Sequence, residues 1–163
     1  MKPALLVIDV QKQFFTQATA QSLNDSIEYI NAAIALFREK QLPVICIQQV
    51  DEEESLVPGE EGFELPEALD ILPSDLHLHK TCGNAFTKTS LAEELRRLGA
   101  DTVIITGFCA EYCVLSTYRG AEDCDLTPIL LRGALASVTQ ENIRFVESVS
   151  ELLSYGALKK ILS

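Results

Sequence analysis

Three side chains with complementary chemistry stand where short apolar runs give out. Asp9 follows "ALLVI", Lys80 closes "DLHLHK", and Cys113 lies a few residues beyond "TVIIT". A thiol attacks as its thiolate. A position near a helix N-terminus, with unpaired amides and the positive end of the helix dipole, favours that form. A nearby ammonium favours it further. A carboxylate in hydrogen-bond reach can take the thiol proton and later return it to a leaving group. Cys113, Asp9 and Lys80 are therefore a chemically complete set of nucleophile, general acid/base and electrostatic partner. Each alone also has an ordinary reading, as core thiol, turn carboxylate and surface cation.

For the three to meet, their strands must share one sheet and end on the same rim. Short apolar runs predict strands at Ala4–Asp9, Pro43–Gln48, Asp75–Lys80, Thr102–Thr106 and Thr127–Leu131, with a sixth at Leu158–Leu162. Between them, Ser22–Lys40 reads as a helix with Leu23, Ile27, Ile30, Ile34 and Phe37 on one face. Further helices are expected at Ser90–Leu98, Glu111–Asp123 and Thr139–Ser154, and a short helical turn at Leu65–Leu69. Strand and helix in alternation predict an α/β fold of three layers, α/β/α. Its six-stranded, mostly parallel sheet is covered by helices on both faces within a single domain, residues 1–163. In such folds sites form beyond the carboxyl ends of the strands, where these three residues fall.

The formal net charge of −11 over 163 residues argues against binding a phosphate backbone, so no nucleic-acid partner is expected. No apolar run approaches the roughly 20 residues that span a bilayer, and "MKPALLVIDVQ" lacks the features of a signal peptide. A cytoplasmic protein without a membrane partner is expected. Much of the acidity is local, in Asp51–Glu54, Glu60 and Glu61. It reads first as a solvated loop, with repulsion of anionic substrates as the other reading.

Five cysteines form no secreted disulfide framework. Cys46, inside "PVICI", and Cys124, near a helix end, read as small packing residues. Cys82, Cys109, Cys113, His77 and His79 leave open a thiol-based metal or redox site. The C-x-x-x-C spacing of Cys109 and Cys113 fits neither a zinc knuckle nor a thioredoxin-like pair.

"LLVIDVQKQFF" and "HKTCGNAFTKTSLAEELRRLGADTVIITGFCAEYCVLSTYRGA" resemble the isochorismatase-like cysteine hydrolases, a family that includes nicotinamidases and other small amidases. The resemblance runs from Ala4 to about Ala136. It implies that Asp9, Lys80 and Cys113 are the catalytic residues and that Phe108–Cys109 is a non-proline cis peptide. It also implies an oxyanion hole made by the backbone amides of Cys109 and Cys113. The expected activity is hydrolysis of a small-molecule amide or related C–N bond through a thioester. Some members without the cysteine cleave a vinyl ether instead, and that is the alternative.

Gln11, Phe14, Phe86, Phe108 and Tyr112, near these motifs, are candidates for the substrate pocket. Nicotinamidases of the family resemble one another in a metal site of aspartate and histidines after the second strand. The matching stretch here has no histidine, so no metal and no other cofactor is expected. The resemblance further implies a homodimer or larger homo-oligomer. Ala110 stands where the family commonly has Thr, and Gly120 and Gly133 where it often has Asp.

Overall fold

A computed structural model describes residues 1–163. Six strands form one sheet: β1 (Pro3–Ile8), β2 (Val44–Gln49), β3 (Leu76–Lys80), β4 (Thr102–Phe108), β5 (Thr127–Ala136) and β6 (Leu152–Leu153). Their order is β3-β2-β1-β4-β5-β6, and every neighbouring pair is parallel. Helices α1 (Ala20–Glu39), α2 (Leu91–Arg97), α3 (Leu115–Asp123), α4 (Gln140–Ser148) and α5 (Tyr155–Ile161) cover it. None of them is long and apolar enough to cross a membrane.

The central strand explains the architecture. All six residues of β1 are buried, because both faces of a parallel sheet are covered and a central strand reads as a continuous apolar run. Ala4, Leu6 and Ile8 point into one core with Leu91, Leu95, Val114 and Tyr118. Leu5 and Val7 point into the other with Leu23, Ile30, Ile34 and Phe37. The chain builds outward from β1 through β2 to β3, then crosses back to place β4 on the other side of β1. The crevice between the ends of β1 and β4 is thus the topological switch point, where sheets of this kind leave room for a ligand.

Gly107 brings the two central strands together at this point. Its φ of 117° is one that L side chains rarely adopt, and a Cβ there would lie 2.0 Å from the Ile8 carbonyl oxygen. Gly107→Ala is expected to cost at least about 3 kcal/mol, from the backbone conformation and the clash together. Urea denaturation of the variant checks this; a loss below 1 kcal/mol, a size typical of neutral surface changes, would mean the strand ends can separate freely.

The C-terminal region departs from the sequence reading. The segment expected as a sixth strand, Leu158–Leu162, is mostly helix α5, and the strand is the two-residue β6. Tyr155, Leu158 and Leu162 recur at helical spacing, Leu158 is fully buried, and Ser154 caps the helix by accepting from the Ala157 amide. The helix expected to run to Ser154 ends at Ser148. Beyond it the chain is captured by the sheet, with Leu130 N–H donating to the Glu151 carbonyl and Glu151 N–H donating to the Tyr118 hydroxyl. Leu65–Leu69 holds a turn rather than helix, and a 3₁₀ turn forms earlier, at Glu61–Phe63. Cys46 is buried in β2, where burial pushes its thiol up to about 12. Cys124, read as a packing residue, is exposed at the end of α3.

Candidate active site

Asp9 is the first residue beyond β1. It has a φ of 53°, a left-handed conformation that Asp tolerates better than most residues, and its N–H donates to the Ile47 carbonyl at 2.9 Å. The carboxylate is 1% exposed. Lys80 ends β3 at the sheet edge, yet its side chain is fully buried. It pairs in register with Gln49, the last residue of β2, and reaches past that strand to Asp9. Cys113, half-buried, lies in a π-helical turn, Ala110–Val114, that opens α3 just after β4.

The Lys80 ammonium is the hub. Its Nζ lies 3.0 Å from Asp9 Oδ2 and 3.3 Å from Cys113 Sγ. It also donates to the Cys82 carbonyl at 3.0 Å and to Gln49 Oε1. Gln49 was not foreseen from sequence; the signal was a polar Gln-Gln pair closing an otherwise apolar strand. Gln49 is held by Gln11, whose Nε2 donates to the Gln49 carbonyl at 3.0 Å while its Oε1 accepts from the Gln49 amide at 2.8 Å. Gln11 is fully buried, so it braces the pocket floor instead of lining it.

One polar atom is left over. Asp9 Oδ1 is buried and has no hydrogen-bond partner, whereas Oδ2 is taken by Lys80. A buried carboxylate oxygen without a protein partner is costly, and it is available to a proton or an N–H of a bound molecule. Burial raises the Asp9 carboxyl above the ordinary range, with the Lys80 charge opposing.

The thiol corrects an expectation. Cys113 is not held as thiolate: burial and then the Asp9 charge push it up to about 11, against the opposing pull of Lys80. The helix terminus does not prevail, because a half-buried sulfur beside a carboxylate is penalised twice for ionising. The resting site is thus a neutral thiol next to a carboxylate–ammonium pair.

Phe108–Cys109 is a cis peptide. The Cys109 thiol is buried, pushed up to about 12 by that burial, and lies 3.7 Å from Ser137 Oγ. Ser137 Oγ donates in turn to Glu111 Oε2 at 2.6 Å, and Asn142 Nδ2 donates to Glu111 Oε1 at 2.8 Å. These contacts tie the Cys109–Glu111 loop to the end of β5 and to α4, a tether that the sequence reading missed.

Among the expected pocket residues, Phe14 and Phe108 meet with ring centroids 5.2 Å apart, and both are half-buried. Phe86 packs against the core on the α3 side. Tyr112 is 68% exposed and turns away to solvent. The Asp51 carboxylate accepts from the Glu53 and Glu54 amides, a His77 ring nitrogen lies 2.9 Å from the Leu72 carbonyl, and His79 packs edge-on against Phe63. These three residues are thus engaged separately.

A family model described as the isochorismatase domain matches residues 3–147. The chain belongs to the isochorismatase family. The isochorismatase family protein YrdC of Bacillus subtilis is 33% identical over 139 residues, which span 83% of this chain and 74% of that one. A solved structure of an isochorismatase family protein superposes with a TM-score of 0.86 at 28% identity, covering 94% of this chain and 98% of that chain. The N-carbamoylsarcosine amidase of Thermoplasma acidophilum superposes with a TM-score of 0.83 at 26% identity, over 94% and 96% of the two chains. This chain is an isochorismatase-family hydrolase with the family's six-stranded parallel α/β fold.

Proposed function

We propose that the protein hydrolyses a C–N bond of a small amide or carbamoyl compound, with Cys113 as nucleophile. The observation that carries this reading is the buried cluster itself: one ammonium within 3.0 Å of Asp9 and 3.3 Å of the Cys113 sulfur, with Asp9 Oδ1 unpartnered. Similarity to an N-carbamoyl amidase supports the choice of bond.

In the first half-reaction Cys113 Sγ attacks the carbonyl carbon as its proton passes to Asp9, and the carbonyl π pair moves to oxygen. The N–H groups of Cys109 and Cys113 receive that oxyanion, and Cys109 N–H meets no acceptor within the protein. Collapse expels the amine, which takes the proton from Asp9, and leaves a thioester. In the second half Asp9 removes a proton from water, the hydroxide attacks the thioester, and Cys113 leaves as the thiol by regaining that proton. A neutral resting thiol suits this cycle, because the proton moves only when the carbonyl is in place. Lys80, 3.0 Å from Asp9 and 3.3 Å from the sulfur, steadies whichever of Asp9 or Cys113 is negative. Association of two or more copies of the chain, in the cytoplasm, completes the reading.

Ammonia release from a panel of primary amides and N-carbamoyl compounds tests it. At least one is expected to turn over with the purified protein and to fail with Cys113→Ala. Turnover that survives in that variant would remove the thiol from the chemistry.

A further inference from the structure

The turn that carries Cys113 divides its side chains between two tasks. Between β4 and α3, the Cys109 carbonyl accepts from the Tyr112 and Val114 amides at 3.0 and 3.2 Å, so the turn closes on this residue. Cys113 Sγ faces the Lys80 ammonium, Tyr112 lies in solvent, and Ala110 is fully buried and brings no polar group. Cys109 and Glu111 are engaged elsewhere, at the end of β5 and the start of α4.

Glu111 is where these contacts meet. Its Oε2 accepts from Ser137 Oγ at 2.6 Å and its Oε1 from Asn142 Nδ2 at 2.8 Å. Ser137 is buried, and its hydroxyl also accepts from the Cys109 thiol at 3.7 Å and from Asn142 Nδ2 at 3.4 Å. The Ser137 amide donates to Ser22 Oγ, on α1, at 3.1 Å. Asn142 stands in the first turn of α4, its amide donating to the capping Thr139 hydroxyl. One carboxylate thus fastens the turn to α1, β5 and α4 at once. Burial opposes its ionisation, yet donation from Ser137, its own backbone N–H, Cys109 and Asn142 holds the carboxyl below the ordinary range. Near neutral pH its donors therefore face a charged acceptor, and such bonds are the strong ones.

The fastened segment includes the residue whose N–H meets no acceptor, Cys109. A donor to a developing oxyanion works only when it is in place beforehand, and a misplacement of about 1 Å can cost about 10²-fold. We infer that Glu111 is the positioning residue of the oxyanion hole: clamped by Ser137 and Asn142, it holds the Cys109 N–H ready for the carbonyl oxygen of the substrate. Glu111 itself touches none of the reacting atoms. The inference rests on the reading of Cys113 as the nucleophile.

The test sets two reactions of the same thiol against each other, each followed by peptide mass spectrometry. Acylation of Cys113 by p-nitrophenyl acetate forms a C–S bond through a tetrahedral oxyanion, with p-nitrophenolate leaving and the thiol proton passing to Asp9. Alkylation by iodoacetamide displaces iodide directly and forms no oxyanion. In Glu111→Ala the acylation rate is expected to fall at least about tenfold while the alkylation rate stays within about twofold. Ser137→Ala should move the ratio in the same direction. Glu111→Gln, which keeps one acceptor oxygen, should lose less than Glu111→Ala. On any amide that the parent hydrolyses, the loss should appear in kcat with KM little changed. An unchanged ratio in Glu111→Ala overturns the clamp, and so does a fall of both rates together, which would mean that Glu111 only keeps the turn folded. Either result leaves the hydrolase reading standing, provided that Cys113 of the parent is acylated faster than the exposed Cys124. A parent in which Cys124 is acylated first sinks the hydrolase reading, and the clamp with it.

Discussion

Lys80→Met is expected to lower stability by about 3–5 kcal/mol and to abolish turnover. The methionine fills a similar volume, so the effect isolates charge from packing. In the native fold the Asp9 carboxylate is 1% exposed, its Oδ2 is satisfied by the ammonium, and its Oδ1 has no partner at all. Removing Lys80 leaves a buried carboxylate with no countercharge, which must either take up a proton or draw in water. Gln49 Oε1 and the Cys82 carbonyl lose their donor at the same time. The companion double variant, Asp9→Leu with Lys80→Met, removes both charges and is expected to recover much of the stability but no activity. Urea denaturation of the three proteins reads the difference. If the single variant is as stable as the parent, the pair is hydrated and the buried-cluster picture fails.

Cys113→Ala is expected to reduce kcat/KM on any accepted amide by at least about 10⁴-fold while leaving the fold intact. The sulfur is only half-buried and packs at the margin of the α3-side core, where alanine keeps the β-carbon. Asp9→Asn should be nearly as damaging, because Asn has no basic oxygen to receive the thiol proton. The pH profile follows from the same pair. The proposed cycle requires the ionised form of Asp9, so activity is expected to be lost as pH falls through its pKa. That pKa is raised by burial, so the acid limb should lie above the range of an ordinary carboxylate. An acid limb at or below the usual carboxylate range would mean that Asp9 is better hydrated than its burial implies.

The residues that meet at the site were legible because each ends a strand or follows one closely, and parallel topology sends strand ends to one rim. Asp9, Lys80 and Cys113 could be chosen on that ground before their distances were known. Gln49 was not, because a glutamine at a strand end has no distinctive chemistry until it is seen accepting from Lys80. Gln11 was assigned to the pocket for its place in a motif, but its amide is spent on the backbone of Gln49. The protonation state of Cys113 was misjudged for a more general reason. Helix position is visible in sequence, whereas burial and a facing carboxylate are tertiary facts, and here they dominate. The sixth strand was placed too late because Leu158–Leu162 is apolar enough for either element. Only the spacing from Tyr155 through Leu158 to Leu162, and the capture of Glu151 by β5, decide for a helix preceded by a two-residue strand.

The central claim is that Asp9 takes the proton of Cys113, and alkylation of the five cysteines tests it most directly. The protein is treated with iodoacetamide near neutral pH, and each thiol is followed by peptide mass spectrometry. Exposure alone would make Cys124 react first, since Cys113 is half-buried with its thiol pushed up to about 11. With Asp9 as an intramolecular base, Cys113 is expected to react faster than Cys124, and its rate across a pH series to level off once Asp9 is ionised instead of climbing with a thiol pushed up to about 11. Cys124 leading in the parent, with the Cys113 rate climbing steadily through the alkaline range as an unassisted thiol would, contradicts the account.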